Sequence, residues 1–216
     1  VLFDLDGTLV DSEPHWWQAT VSVARTLGVE LGPADTPHVL GRTVEDTAAH
    51  LLSAARSADP APPPRLPERS ATARPTADLI RLLTESFAQR VEQGVELMPG
   101  ATDLLRELGA AHLPTALVTA SPRSIVDLVL PRLGHRFAQV VAAEDTTRGK
   151  PYPDPYLEAA RRLGADPSHC VAIEDSPTGV TAATSAGCRV LVVHPEHGLP
   201  TLRDIRDSKP RPPKDG

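Results

Sequence analysis

Val1-Leu2-Phe3-Asp4-Leu5-Asp6-Gly7-Thr8-Leu9-Val10-Asp11-Ser12 is the stretch on which the fold turns. An apolar run leads into two acids spaced two apart. A continuous run, rather than an alternating one, marks a parallel strand covered on both faces. Residues 1–5 are read as such a strand, so Asp4 and Asp6 fall where the chain leaves the sheet, and Gly7 lets the backbone turn there. Two carboxylates at one spot need a cation or a proton to coexist. Mg²⁺, which prefers oxygen ligands, suits them.

Working outward, the same kind of run recurs at 115–118, 139–142, 171–173 and 189–193. Helical patterns fill the intervals at 101–111, 122–133, 154–163 and 178–186. Strands alternating with helices predict an α/β fold with a doubly wound parallel sheet, the Rossmann-like arrangement. Residues 1–11 and 99–208 are assigned to this core. Between Asp11 and Pro99 no convincing strand is found, and helices are expected near 15–27, 44–56 and 76–93. Residues 12–98 are therefore expected to form a helical domain inserted after the first strand, above the carboxyl ends of the sheet strands and placed to act as a lid. Pro60, Pro62, Pro63, Pro64, Pro67 and Pro75 exclude helix from 59–75 and imply a stiff, exposed loop. The Pro- and charge-rich stretch 209–216 is expected to be a disordered tail.

A chain of 216 residues with 40% hydrophobic content can bury one sizeable core and a smaller insert, and with 3% aromatics Leu, Val and Ala must fill it. The net charge of −6 and the lack of a long Lys/Arg run argue against nucleic acid or an anionic membrane as partner. No apolar stretch approaches the ~20 residues that a membrane-spanning helix needs. Cys170 and Cys188 make neither a CxxC pair nor a zinc pattern. Each precedes an apolar run, as a buried structural thiol does. So few cysteines favour a reducing, cytoplasmic setting. The first residues lack the basic start of a signal peptide, and the missing Met implies a few residues ahead of Val1. His194 and His197 are three apart with no further ligand in sight, so no zinc site is expected there.

Three more strand ends carry polar groups. Ala116-Leu117-Val118-Thr119-Ala120-Ser121 places hydroxyls directly after a buried strand, a pattern that also suits a helix cap. Gly149-Lys150-Pro151-Tyr152-Pro153-Asp154 holds the one lysine outside the tail, the others being Lys209 and Lys214. Arginine serves as the cation everywhere else in the folded region, so a lone Lys implies a need for a compact point charge. The upstream glycine and following Ser/Thr of a P-loop are missing. Val171-Ala172-Ile173-Glu174-Asp175-Ser176-Pro177-Thr178-Gly179 again ends a strand in acids, with a helix start behind them.

These four strings, in this order and spanning essentially the whole chain, resemble the motifs of the haloacid dehalogenase superfamily in its phosphatase form. The insert resembles the small helical cap of its β-phosphoglucomutase-like subgroup. The resemblance implies a Mg²⁺-dependent phosphatase acting on a small phosphorylated metabolite, such as a sugar, polyol or glycolate phosphate, through an aspartyl-phosphate intermediate. It makes Asp4 the nucleophile, and Asp6 the acid that protonates the leaving oxygen and then activates water. It assigns the metal to Asp4, the backbone carbonyl of Asp6, and Asp175, with Glu174 holding it less directly, through water. It gives Thr119 and Lys150 the task of neutralising the phosphoryl group. Substrate contacts fall to Thr8, Ala120, Ser121 and, from the insert, Arg42. The superfamily's dehalogenases lack an acid at the position of Asp6, so carbon–halogen cleavage is not expected.

Within the insert, Ser12-Glu13-Pro14-His15-Trp16-Trp17 and Leu40-Gly41-Arg42-Thr43 resemble cap patterns of enzymes acting on sugar and polyol phosphates. His15, Trp16 and Trp17 are candidates to close over a substrate, with Trp17 favoured as cap core. The β-phosphoglucomutases carry a His where this chain has Trp16 and use a cap lysine. Phosphonoacetaldehyde hydrolases need a cap lysine for a Schiff base. From Ser12 to Met98 there is no lysine, which removes the second and leaves a hexose phosphate mutase as the alternative. A non-catalytic binding protein would lack one of Asp4, Asp6, Lys150 and Asp175, and all are present. A monomer is expected, because such a site needs no second chain.

Overall fold

β1 (Leu2–Phe3) is the central strand of a five-stranded sheet in the computed structural model, which describes residues 1–58, 75–194 and 197–208. β2 (Val10–Asp11) follows, then α1 (Glu13–Thr26), α2 (Thr36–Val39), α3 (Val44–Ala58) and α4 (Pro75–Gln93). After β3 (Glu96–Leu97) and α5 (Ala101–Ala110) come β4 (Ala116–Val118), α6 (Arg123–Val129), β5 (Gln139–Val141) and α7 (Asp154–Leu163). β6 (Val171–Glu174), α8 (Pro177–Ser185), β7 (Arg189–Val192) and α9 (Leu202–Asp207) complete the order. The stiff loop expected up to Pro75 falls, except for Pro75 itself, outside the described residues, as does the tail expected at 209–216.

The sheet runs β5–β4–β1–β6–β7 and every pair is parallel, as the α/β reading expects. Leu2 pairs with Ala116 on one side and Ala172 on the other. Strand order therefore reverses beside β1, and the carboxyl ends of β4, β1 and β6 border the crevice that such a switch point opens. Side chains alternate across the sheet. Leu2, Ala116, Val118 and Ala172 share a core with Tyr156 and Ala159 of α7 and Ala182 and Ala183 of α8. Phe3, one residue on, meets Phe137 edge-on with ring centroids 6.2 Å apart. Cys170 and Cys188 are buried free thiols at the starts of β6 and β7.

Two local departures have plain causes. The helix expected over 122–133 stops at Val129 and tightens into a 3₁₀ turn, Leu130–Leu133. Pro131 has no N–H to donate, and its ring clashes with the carbonyl four residues back. The expected absence of any strand up to Pro99, and an insert running to residue 98, are both corrected by β3. It pairs antiparallel with β2, Val10 with Leu97 and Asp11 with Glu96, and the Met98 N–H donates to the Leu9 carbonyl at 2.9 Å. A ladder of two residues is too short to leave a period in the sequence.

Two compact units result. Val1–Asp11 and the described residues from Val95 onward form one, and the described residues of Ser12–Gly94 form the other. The second unit packs α1, α3 and α4 around Val23, Ala24, Ala48, Leu51, Leu79 and Leu83. Trp16 packs against that core, edge-on to Phe87 at 5.5 Å, and donates Nε1–H to the Val39 carbonyl at 3.0 Å. Trp16 thus takes a core role in this unit. Ala19, Thr20, Val23 and Ala24 form the buried helix face, with Trp16 near its middle and Trp17 at its edge, about 20° from Ala24.

Candidate active site

Asp4 carries the strand one bond beyond β1, its N–H donating to the Ile173 carbonyl at 3.0 Å. The chain then folds back sharply. The N–H groups of Thr8, Leu9 and Val10 converge on the Leu5 carbonyl at 3.3, 2.9 and 3.1 Å. Gly7 sits at φ 83°, and a Cβ there would collide with the Asp175 carboxylate, so both conformation and space demand glycine. The turn delivers the Thr8 hydroxyl to Asp175 Oδ1 at 2.8 Å.

Lys150 enters from the loop between β5 and α7. Its Nζ donates to Asp4 Oδ1 and to Glu174 Oε1, each at 2.5 Å, and all three side chains are buried. Glu174 Oε1 also accepts from the Tyr156 hydroxyl at 2.7 Å. Its Oε2 accepts from the N–H groups of Asp175 and Ser176 and from the Ser176 hydroxyl, at 3.2, 3.3 and 3.1 Å. Ser176 Oγ in turn caps α8 by accepting the Gly179 N–H at 3.1 Å, and Pro177 supplies a fixed φ in the first turn. A Cβ on Gly179 would overlap the Glu174 carboxylate. Tyr156 and Gly179 are the members of this cluster that sequence reasoning missed. The one signal for Tyr156 was scarcity: it is one of two tyrosines in a chain poor in aromatics.

The electrostatics follow from burial. Desolvation pushes the Asp4 carboxyl well above its usual range; Lys150 opposes this, while Glu174, Asp175 and Asp6 reinforce it. Desolvation likewise raises Asp175 to about 6 against the hydrogen bond from Thr8. Burial works against the charge on Lys150, but Asp4 and Glu174 outweigh it and hold the ammonium above its ordinary pKa. Asp4, Glu174 and Asp175 each offer an oxygen within 4.8 Å of the others, and they are the one group of three or more candidate metal ligands among the described residues. Hard oxygen donors, buried in Asp4 and Glu174, partly buried in Asp175 and in excess of the nearby ammonium, fit a small divalent cation.

On the β4 side, Asp6 Oδ2 accepts from the Ser121 hydroxyl at 2.7 Å and from that of Thr119 at 3.3 Å. Thr119 Oγ1 accepts the Ser121 N–H at 2.9 Å. Asp4, Asp6, Thr8, Thr119, Ser121, Lys150, Glu174 and Asp175 are thus linked by hydrogen bonds along the carboxyl edge of the sheet, in two groups joined through the β1 loop. Ala120 is exposed between Thr119 and Ser121. Arg42 belongs to the helical unit, where it is exposed and its Nε donates to the Pro37 carbonyl at 2.9 Å.

Residues 1–193 match the family model of the haloacid dehalogenase-like hydrolases. Hexitol phosphatase A of Escherichia coli strain K12 is 34% identical over 211 residues, covering 94% of this chain and 87% of that protein. Phosphoglycolate phosphatase of the same strain is 33% identical over 204 residues, covering 87% and 78%. The crystal structure of CbbY from Rhodobacter sphaeroides in complex with phosphate aligns with a TM-score of 0.73 at 30% identity, covering 88% and 84%. No helix among the described residues is long and apolar enough to cross a membrane. A match running from β1 through β7, with relatives alike over most of their own length, makes this chain a member of the haloacid dehalogenase-like hydrolases.

Proposed function

We propose that this protein is a Mg²⁺-dependent phosphatase that removes the phosphoryl group from a small sugar, polyol or glycolate phosphate through an aspartyl-phosphate on Asp4. The observation that carries this is the buried Lys150 ammonium on Asp4, inside a cluster of acids that exceeds it in charge. The names of the relatives, which act on hexitol phosphates and phosphoglycolate, support the substrate class. The CbbY structure, solved with phosphate, supports a site for that anion.

Asp4, Asp175 and the Asp6 carbonyl are the groups that would hold magnesium. Glu174, whose oxygens already accept from Lys150, Tyr156, Ser176 and the backbone, would act through water. When bound, the ion supplies positive charge that offsets the phosphoryl dianion and the surrounding acids. The chain's own groups do the rest. Asp4 attacks phosphorus, and the bond to the leaving oxygen breaks as the new anhydride bond forms. Asp6, oriented by Ser121 and Thr119, gives its proton to that oxygen and then takes one from the water that hydrolyses the anhydride. Lys150, Thr119 and N–H groups of the loop after Asp4 stabilise the charge that develops. The helical unit serves as cap, with Arg42 contributing to substrate recognition. One chain supplies every one of these groups, so a monomer suffices. Buried free thiols fit a reducing cytoplasm.

The test is phosphate release from a panel of hexitol, sugar and glycolate phosphates, with Mg²⁺ and with a chelator, and with Asp4→Asn as control. Metal-dependent release from a few members, absent in the control, is expected. Full turnover in chelator would remove the metal from the reading. Silence across the panel, with isomerisation of a hexose 1-phosphate, would replace hydrolysis by mutase chemistry.

A further inference from the structure

Tyr156 is fully buried in α7, behind the site. Its hydroxyl donates to Glu174 Oε1, the same oxygen that takes the Lys150 ammonium, and its ring centroid lies 5.3 Å from Nζ. The other tyrosine, Tyr152, is exposed and lies under Arg148. Phenylalanine would fill the same core volume with no buried hydroxyl to satisfy. The hydroxyl therefore answers to Glu174 rather than to packing.

Lys150 is shared between two buried acids, and the share that Asp4 receives depends on what else neutralises Glu174. Oε2 of Glu174 is occupied by Ser176 and backbone donors. Oε1 accepts from two side chains, the Tyr156 hydroxyl at 2.7 Å and the Lys150 ammonium at 2.5 Å, so the phenol and the ammonium share the neutralisation of that oxygen. With the phenol gone, Glu174 would draw the ammonium more strongly towards itself and away from Asp4. Burial, with Glu174 and Asp4 nearby, raises the phenol pKa and keeps it a donor.

We infer that Tyr156 is a positioning residue, whose hydroxyl clamps Glu174 so that Lys150 stays shared with Asp4. The catalytic consequence rests on the phosphatase reading; the clamp itself does not.

Tyr156→Phe tests this, because it keeps the ring and removes only the hydroxyl. The chain has three lysines, Lys150, Lys209 and Lys214, so labelling lysine Nζ with ¹⁵N gives a spectrum simple enough to follow the buried ammonium without any substrate. Lys150→Arg assigns its resonance. That resonance should move in Tyr156→Phe and in Glu174→Gln, and Tyr156→Phe should add no further shift in the Glu174→Gln background. On the best panel substrate, Tyr156→Phe should lower kcat about tenfold, the scale of an outer partner of a charged site, with KM within about twofold. An unmoved Lys150 resonance overturns the inference, whether or not any substrate is hydrolysed. So does a kcat loss that simply multiplies with that of Glu174→Gln, as a packing defect would. A shifted resonance in a protein that releases no phosphate upholds the clamp and sinks the phosphatase. Should Glu174→Gln fail to fold, the resonance in Tyr156→Phe alone decides.

Discussion

Asp175→Asn removes one charge from the acid cluster while keeping the side chain's shape. Burial, the largest influence on it, raises the Asp175 carboxyl from 3.8 to about 6. Unfolding returns it to its ordinary value. A folded pKa above the unfolded one means that the native state binds the proton more tightly. The stability this provides is complete below 3.8 and is lost as pH rises through 6. Above that window the metal-free native state carries an ionised carboxylate that it disfavours by about 2 pH units, or roughly 3 kcal/mol at ~1.36 kcal/mol per unit. Asparagine is neutral at every pH, and its Oδ1 can accept the Thr8 hydroxyl as the carboxylate does. In chelator at about pH 7.5 the variant should therefore exceed the parent in stability by about 1–3 kcal/mol, or roughly 3–10 °C in Tm for a chain of this size. The gap should close on acidification from about pH 6 to pH 4. Mg²⁺ should raise the parent's Tm, since a ligand that binds only the native state stabilises it, and should leave the variant's almost unmoved. Thermal unfolding followed by circular dichroism across that pH range reads all of this. A variant less stable than its parent at neutral pH, or a gap indifferent to pH, refutes the reasoning.

The other substitutions separate chemistry from folding. Asp4→Asn should cost at least about 10⁴-fold in turnover while leaving the far-ultraviolet dichroism native, as expected for loss of a nucleophile. Lys150→Ala strips the cation from two buried acids, so roughly 3–5 kcal/mol of stability and at least about 10²-fold in kcat should go together; near-normal rates would remove Lys150 from the site. Ser176→Ala loses the cap of α8 and a donor to Glu174, which should lower stability by about 1 kcal/mol in urea unfolding.

The sheet was legible in the sequence because its strands are continuous apolar runs, fully buried in β1, β4 and β6 and partly so in the edge strands β5 and β7. Runs such as 171–173 and 189–193 need no alternation to be recognised, and β6 and β7 fall on them within a residue. α7 was legible at both ends, with Pro155 in its first turn and Gly164 at φ 67° after its last. What escaped is short or depends on contact. The two-residue ladder of β2 and β3 exists only because Asp11 and Glu96 meet across an excursion of more than eighty residues. α9 is capped by Thr201 and Asp204 but too brief to show a period. At the site, residue types placed Asp4, Lys150 and Asp175 at strand ends and loops, where spacing carries the signal. For Tyr156 scarcity was the one signal, because a tyrosine amid helix residues looks the same whether its oxygen faces water or a carboxylate.

The arrangement also explains why the acids persist where they weaken the fold. Asp4, Glu174 and Asp175, when ionised, face the single ammonium of Lys150, which leaves an excess of two negative charges in a largely buried cluster of side chains. One divalent cation cancels that excess, and no monovalent ion does. A dianionic phosphoryl group approaching the metal-free cluster would meet repulsion that low polarisability strengthens, whereas a cluster holding a divalent cation would be neutral and its donors free to act on the incoming oxygens. Replacing Asp175 by an amide would relieve the fold but leave the bound cluster with one positive charge too many and one oxygen ligand of weaker affinity. The stability gained by that change and the metal binding lost are therefore two measures of the same carboxylate, and an unoccupied, comfortable site would be a poor phosphatase.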